Sequence, residues 1–467
     1  MTNQIVSRSV FMTEFLRYKS GIAGVIILVS LIIITLYAIL AIPLESFRQW
    51  NNPNYWIDYP KAAAPQWTNI GIFGPKQFEH LIMTLDDDAS ITTVPIADNI
   101  RTEIHSYTLD FLYDSYPSDF MIPYSARYGQ IPPLLQVDVT RPDGEEFRIY
   151  YSSLPSSLAT NNENQFSSRI FSTDPAMAEY LHEISDSFRY PQDASKPQVM
   201  IFSDIEEKKV LKGKYLIKET FYLFDNSDTV LESGLILGGR VYGLFGTDEL
   251  RRDLAIGILW GTPIALFIGA SVSIASVIIG LLYGVIAGYK GHRTDELMMR
   301  INDIFYTLPA LPLLIIMSIT LGRSIFLITG FLVIFGWVGI VRVTRSLAMQ
   351  IRNLQYVEAA KLMGQSELKI IFKHVIPQLL PLTFASIAIS VPAAILGEAA
   401  LSFLGLGDPS VPTWGQILHD ANTAGAASRG LWWWIMPPGV MIALTGLSFV
   451  LIGNTLDSIM NPKARKF

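Results

Sequence analysis

Cysteine is missing from all 467 residues, which removes disulfides, thiolate metal sites and cysteine nucleophiles. No Gly-x4-Gly-Lys-Ser/Thr stretch occurs, so nothing of that type cradles nucleotide phosphates. The six histidines, His80, His105, His182, His292, His374 and His419, lie too far apart in sequence to form a helical metal pair. No basic and aromatic interleaving argues for nucleic acid. Charge is scarce as well. Charged residues make up 16% of the chain, below the roughly 25% of soluble domains, while half of the residues are apolar. That balance points to a membrane protein.

The net charge of −6 hides an asymmetry. Residues 45–253 carry about 31 acids and 18 bases, whereas the rest carries about 10 acids and 17 bases. The chain therefore has two physically different parts.

Arg8, Arg17 and Lys19 precede an uncharged run at 20–44, long enough for one spanning helix. A cleaved signal peptide would have a shorter apolar core, about 7–15 residues, and a small-x-small site after it. This run reads as a retained first span with its N-terminus in the cytoplasm. Charges and prolines return at 47–240, where no run reaches spanning length. Alternating segments at 134–140 and 147–152 flank Arg141, Pro142, Asp143 and Gly144, a turn sequence. Segments at 215–224 and 229–234 form a similar pair around 225–228. Met177, Tyr180, Leu181 and Ile184 keep helical spacing within 174–188. The expectation is a mixed, strand-rich domain inserted after the first span and lying outside. Its acid runs, Asp86, Asp87 and Asp88 and then Glu206 and Glu207, lack the spacing of a calcium loop and read as solubilising charge.

The remainder is nearly all membrane. Residues 254–289 hold no charge and are too long for one perpendicular span, so 254–263 reads as an interfacial lead-in to a span at about 264–288. Gly280, Gly284 and Gly288 recur every four residues, a spacing that lets helices approach closely. Further spans are expected at about 304–321, 324–341, 379–403 and 434–455. Six spans put both termini inside. Of the 17 bases outside the insert, only Arg323 and Arg429 then fall in external loops, which is the positive-inside bias.

Between two of these runs lies YVEAAKLMGQSELKIIFKHVIPQLLP at 356–381. It reads as two short helices broken at Gly364, the second capped by Ser366 and ended by Pro377. Leu368, Ile371, Phe372 and Val375 make one apolar stripe, ringed by Arg345, Arg352, Lys361, Lys369 and Lys373. Ala359 and Ala360 are expected on show, which suits docking into a groove on another protein. A basic amphipathic helix resting on anionic lipid is the plainer reading of this segment taken alone.

Glu358, Ala359, Ala360, Gly364, Ile376 and Pro377 resemble the EAA loop of membrane subunits of bacterial and archaeal ABC importers. FGTDELRRD at 245–253, EAALSFLGLG at 398–407 and PTWGQIL at 412–418 agree, in family order. The wording resembles the peptide/nickel/oligosaccharide branch and its second permease, the DppC/OppC type. The resemblance covers about 8–45 and 240–467. Arg251 stands where the resembled GTDxxGRD pattern has glycine, while Asp248, Arg252 and Asp253 match. Family members have only a short loop where this chain has about 190 residues.

The resemblance implies an α-helical permease of the ABC type I importer fold, with ATPase coupling through Glu358, Ala359, Ala360, Gly364, Leu368 and Pro377. It implies no cofactor on this chain, since ATP and Mg belong to two partner ATPases. The other partners implied are a second, homologous permease, an extracytoplasmic solute-binding protein and membrane lipid. The expected divisions are 1–46, the insert at 47–240 and the five-helix core at 241–467. Glu398, inside the fifth span, reads either as a pathway or gate residue or as a carboxylate bonding nearby backbone. Trp432, Trp433 and Trp434 read as an interfacial belt. A gradient-driven transporter and a membrane-anchored sensor stay open as other classes. A P-loop ATPase found by pull-down separates the three.

Overall fold

The computed structural model describes residues 13–460, apart from 71–73, 130, 156–164, 175–176, 178–195 and 205–208. Glu206, Glu207 and nearly all of the helix expected at 174–188 lie outside the described residues. The chain forms two compact units, Met1–Asn52 with Ala255–Phe467, and Pro53–Leu254.

The first unit is helical. Helix α1 (Lys19–Ala41) is apolar on every side and stops two residues before Pro43, which cannot continue a helix. Later come α2 (Leu254–Lys290), α3 (His292–Thr307), α4 (Ala310–Leu321), α5 (Ile325–Gly336) and α6 (Val338–Arg352). They are followed by α7 (Gln355–Leu362), α8 (Glu367–Phe403), α9 (Trp414–Thr423) and α10 (Trp432–Met460). Among the described residues five helices are long and apolar enough to cross a membrane, or six if the bent pair α3 and α4 counts as one.

Three expected boundaries move. The segment expected as a lead-in belongs to α2 itself, a continuous helix of 37 residues through Pro263. The one polar side chain in that segment, Thr262, turns its hydroxyl back to the Ile258 carbonyl at 3.3 Å, so nothing there favours leaving the helix. The span expected at 304–321 is instead broken, with α3 and α4 meeting at 75°. Pro309 pushes Leu308 to an extended conformation (φ −63°, ψ 132°) and ends α3. The span expected to end at 341 runs on to Arg352, because the residues beyond are good helix formers.

Helix α1 packs along α10, which also packs on α8 and α9. Gly21 and Gly24 let α1 come close, and Ser448 Oγ donates to the Gly24 carbonyl at 2.9 Å. Helices α2 and α6 meet along the three glycines. A Cβ at Gly284 would sit 2.0 Å from Thr344 Oγ1, and one at Gly288 would sit 2.4 Å from the Arg345 carbonyl. Thr344 Oγ1 donates to the Gly280 carbonyl at 3.0 Å. Small residues of this kind drive helix association where lipid competes equally for apolar surface.

The second unit is built on two antiparallel sheets. Its strands are β1 (Leu81–Thr84), β2 (Ala89–Ala97), β3 (Ile100–Phe111), β4 (Phe120–Arg127) and β5 (Leu134–Thr140). The rest are β6 (Glu146–Ser153), β7 (Gln165–Phe171), β8 (Gly213–Leu223) and β9 (Thr229–Leu237). One sheet runs β1-β9-β4-β7, the other β2-β3-β8-β5-β6. Tyr107, Phe111, Val137, Tyr215 and Phe221 of the larger sheet share one core with Ile122, Tyr124, Ile170 and Leu235 of the smaller. Strands β5 and β6 form the hairpin expected around Gly144, which has φ +89°. The pair expected at 215–234 does not form. Strand β8 is flanked by β3 and β5, and β9 by β1 and β4, so the connection between them changes sheets. Asp228 holds it by accepting from the Phe224, Asp225 and Gly129 amides.

Polar groups interrupt this core. His105 Nδ1 and the Tyr107 hydroxyl both meet Ser233 Oγ, at 2.7 and 2.6 Å, and His105 Nε2 meets Glu103 at 2.9 Å. Glu219, directly across from His105, is fully buried with neither oxygen in hydrogen-bond geometry. Burial pushes its carboxyl up to about 8, with the nearby Ser233 hydroxyl offsetting only part. An acid raised in the folded state binds a proton that the unfolded chain has already lost. Its cost is therefore absent below the ordinary carboxyl range and complete above about pH 8, on the order of 5 kcal/mol for a rise of this size. The thermal midpoint of the strand-rich unit, followed by circular dichroism, should fall from pH 5 to about 8 and level off above that. Glu219→Gln should flatten that dependence and raise the midpoint at the alkaline end. An unchanged slope in the variant overturns the assignment.

Candidate functional site

The loop expected from the sequence is the stretch from α7 into α8. Gly364 ends α7 with φ +75°. Its amide donates to the Lys361 carbonyl at 3.0 Å and the Gln365 amide donates to the Ala360 carbonyl at 3.2 Å. These two bonds are the Schellman closure, which requires a left-handed residue at that point. No atom lies within 4 Å of the Cβ a substitution would add, so the demand for glycine is purely conformational.

The loop departs from expectation in four ways. Ser366 occupies the N-cap position, but its side chain makes no capping bond. Pro377 does not end a helix, because α8 runs unbroken from Glu367 to Phe403. A π-helical turn at Ile371–Val375 lies just before it and absorbs the missing donor and the ring's clash with the preceding turn. The four-residue stripe splits into two rows. Ile371 and Val375 are buried, while Leu368 and Phe372 are 62% and 60% exposed. Ala359 is exposed, but Ala360 is buried.

The buried row explains this. Val357, Ala360, Ile370, Ile371, Val375 and Leu379 pack with Leu281, Val285 and Tyr289 of α2 and with Ala348 and Ile351 of α6. Only one row can face that seam. The other, with Leu362 and Met363, is left as an apolar patch beside Lys361, Lys369 and Lys373. Two side-chain bridges tie the halves together, His374 Nε2 to Gln365 Oε1 at 3.1 Å and Gln378 Nε2 donating to the Tyr356 hydroxyl. Glu358 is exposed on the same loop.

Sequence reasoning took Arg345 as part of the loop's positive ring. The structure pairs it with Asp295 of α3 through two bonds of 2.5 Å. Spacing carries no signal for that pair, since the partners are 50 residues apart.

Two other motifs converge elsewhere in the helical unit. Glu398 is buried in α8 and accepts from Ser402 Oγ at 2.7 Å and from the Thr413 hydroxyl. Thr413 Oγ1 also accepts the Gln416 amide, capping α9. Gly415 brings α9 against α8, where a Cβ would sit 2.7 Å from Ala399 Cα. Trp414 Nε1 donates to the Ile258 carbonyl of α2 at 3.0 Å. Glu398 thus sits at a joint of α8, α9 and α2, bonded to side chains rather than to backbone.

The remaining motif lies in the strand-rich unit. Asp248 and Arg252 form a buried ion pair at 2.6 Å. Arg251 adopts φ +66°, the conformation the resembled glycine would take without strain. It is held by donating to the Tyr59 carbonyl at 2.7 Å and to the Asp119 carboxylate.

Neutral substitution at Glu398 separates its bonding from its charge. Glu398→Leu leaves Ser402 and Thr413 without their acceptor, a loss of about 1–3 kcal/mol. It should lower the melting temperature of the purified protein by several degrees, and Glu398→Gln should lose less than half as much. Equal losses would show that the carboxylate charge matters rather than the joint.

The family described as binding-protein-dependent transport system inner membrane component matches residues 280–466. The chain is 37% identical over 223 residues to the dipeptide transport system permease protein DppC of Bacillus subtilis (strain 168), covering 48% of this chain and 69% of that protein. It is 35% identical to the oligopeptide transport system permease protein OppC of the same organism, covering 48% and 72%. It is 37% identical to OppC of Haemophilus influenzae, covering 48% and 71%. An inward-facing structure of the MetNI methionine ABC transporter aligns at 19% identity and a TM-score of 0.36, over 44% of this chain and 95% of that one.

Proposed function

Because the chain belongs to the binding-protein-dependent transport system inner membrane components, we propose that it is the permease through which peptides enter the cell, driven by ATPases on separate chains. Oligosaccharides and nickel chelates are the other solutes of the resembled branch. The peptide reading is supported by the names of the relatives. A gradient-driven transporter and a sensor are not favoured by that membership.

One observation carries the coupling role. The loop is pinned by one apolar row and leaves Leu362, Met363, Leu368 and Phe372 exposed beside three lysines. An apolar patch with a charged rim is the form of a protein-binding surface. Glu358, Ala359, Ala360, Gly364, Leu368 and Pro377 form or support it, and two cytoplasmic ATPases, binding ATP and Mg, press on it and on its counterpart. The counterpart belongs to a second, homologous permease, and a solute-binding protein delivers the peptide from outside. In this arrangement the bent pair counts as one span, six spans cross the cytoplasmic membrane, and both termini lie inside. Residues 47–240 then lie outside. Glu398 acts in the pathway by holding the α8–α9 joint shut or open.

Coupling is tested at Gly364. A β-branched residue there must take a left-handed conformation at a cost of about 1–3 kcal/mol, although nothing blocks it sterically. With the partner ATPases and binding protein reconstituted, Gly364→Val should cut peptide uptake at least tenfold with normal membrane insertion. Gly364→Asn should retain most uptake, because asparagine tolerates that backbone. Wild-type uptake in the valine variant rejects the role.

Orientation is tested separately. The chain has no cysteine, so single cysteines report cleanly. Those replacing Asn226 and Ser428 should react with an impermeant thiol reagent added to sealed cells, and one replacing Ser366 should react only after permeabilisation. Labelling at position 366 from outside rejects the six-span arrangement.

A further inference from the structure

The two ends of the strand-rich unit's chain run side by side. The Ala64 amide donates to the Arg240 carbonyl at 2.8 Å, the Tyr242 amide to the Ala64 carbonyl at 2.7 Å and the Gln66 amide to the Gly243 carbonyl at 2.9 Å. Residues 62–75 and 241–247 carry no charged side chain, although Lys61, Lys76 and Asp248 flank them. This edge shows large apolar groups instead. Trp67, Ile70 and Leu244 are 43%, 55% and 57% exposed. Trp67 lies in a 3₁₀ turn at Gln66–Asn69, and Ile70 follows three residues on, one turn of such a helix, so the two share a side. Trp67 Nε1 donates to the Leu244 carbonyl at 2.9 Å, which joins Leu244 to them. Single exposed apolar residues are ordinary, but three gathered from both ends of a unit into an uncharged edge mark an interaction surface.

Chain geometry puts this edge close to a membrane. Helix α1, about 35 Å long at 1.5 Å per residue, is enough to cross a hydrocarbon core of roughly 30 Å and ends at Ala41. Just past that end the Phe47 ring meets the Trp260 ring at 4.9 Å, and the Trp50 ring fills the space beside Gly257. The start of α2 is therefore level with the end of α1, and aromatic residues collect at such interfacial levels. Leu254, about one turn earlier, opens α2, and its amide donates to the Gly246 carbonyl at 3.0 Å. Leu244 is two residues from that carbonyl, at most about 7 Å of extended chain. Lipid is thus already beside the patch, whereas a protein partner would have to be brought there.

We propose that Trp67, Ile70 and Leu244 are seated in the headgroup layer of the bilayer that α1 and α2 cross. Lipid then covers this edge and holds the strand-rich unit at the membrane surface. An indole suits that layer, since it offers an apolar ring while its N–H is already bonded to protein. The inference goes beyond the transport role and needs only that α1 and α2 span the membrane.

The test uses the full-length chain, which has no cysteine of its own, in phosphatidylcholine nanodiscs. Fluorophores are attached to Ile70→Cys and Leu244→Cys in separate chains. Phosphatidylcholine spin-labelled near its headgroup should quench both probes. Aqueous iodide should quench them at least threefold less than a probe on Asn226→Cys. Position 226 lies past the far end of β9, about 30 Å of strand from this edge. Adding Trp67→Gln to the Ile70→Cys chain should raise iodide quenching at least threefold and weaken quenching by the spin label. Leu244→Gln, which keeps the carbonyl that Trp67 bonds, should act in the same direction to a smaller extent. A probe on Phe267→Cys, exposed on α2, should keep its quenching by lipid spin-labelled in the acyl chain in both variants, which shows intact insertion. The proposal is overturned if the probes at 70 and 244 meet iodide as freely as the one at 226 and escape the spin label. It is overturned equally if they are shielded from both quenchers, which would show protein covering the edge, or if neither glutamine variant changes the quenching at position 70.

Discussion

The glycine-lined face of α2 must lie against the backbone of α6 before anything at the loop can be placed. At Gly284 and Gly288 the α2–α6 approach leaves no room for even a methyl group. The seam ends in a buried patch made by Leu281, Val285 and Tyr289 on one side and Ala348 and Ile351 on the other. The loop sits on that patch through Val357, Ala360, Ile371 and Val375. Widening the seam by one side chain would therefore remove the loop's footing as well as a helix contact. The Arg345–Asp295 pair braces the same place, linking α6 to α3 with two charge-assisted bonds.

Local chemistry was legible in the sequence, and choices among equivalent faces were not. The left-handed residue at Gly364 followed from the end of a run of helix formers, and the β5–β6 turn followed from Pro142, Asp143 and Gly144. Nothing local said whether Leu368 and Phe372 or Ile371 and Val375 would be buried. Both pairs are spaced by four, and the α2–α6 patch decides between them. Strand pairing failed at β8 and β9 for a related reason. Each has apolar alternation and a turn between, but each already has two neighbours from distant parts of the chain. The proline rules erred in both directions. Pro309 breaks a helix and Pro377 does not, because a π-helical turn accommodates the second.

Arg251 shows how a motif survives a substitution that its backbone resists. The positive φ remains, and the strain of a side chain there is opposed by bonds to Tyr59 and Asp119. Neither partner lies in the short motif itself. Both come from the strand-rich segment that the resemblance does not cover. The motif and the additional segment are thus physically one structure here. Replacing residues 47–240 by a short linker would remove both bonds and leave Arg251 strained unless it were changed to glycine.

The continuity of α8 gives the proposed coupling a physical path. A helix of 37 residues is about 55 Å long at 1.5 Å per residue. It starts under the exposed row of Leu368 and Phe372 and ends beside the Glu398–Ser402–Thr413 joint. Had Pro377 ended a helix, the loop and the joint would be connected by a flexible break, and displacement at one end would dissipate. With the helix intact, the soft elements along it include the π turn before Pro377, and Pro381 and Pro392. The π turn lies within the footing on α2 and α6, where packing stiffens it. Bending is then left to Pro381 and Pro392, between the loop and the joint. A push on the loop would tilt the first part of α8 about its footing, and the two prolines would set how much of that tilt reaches Glu398.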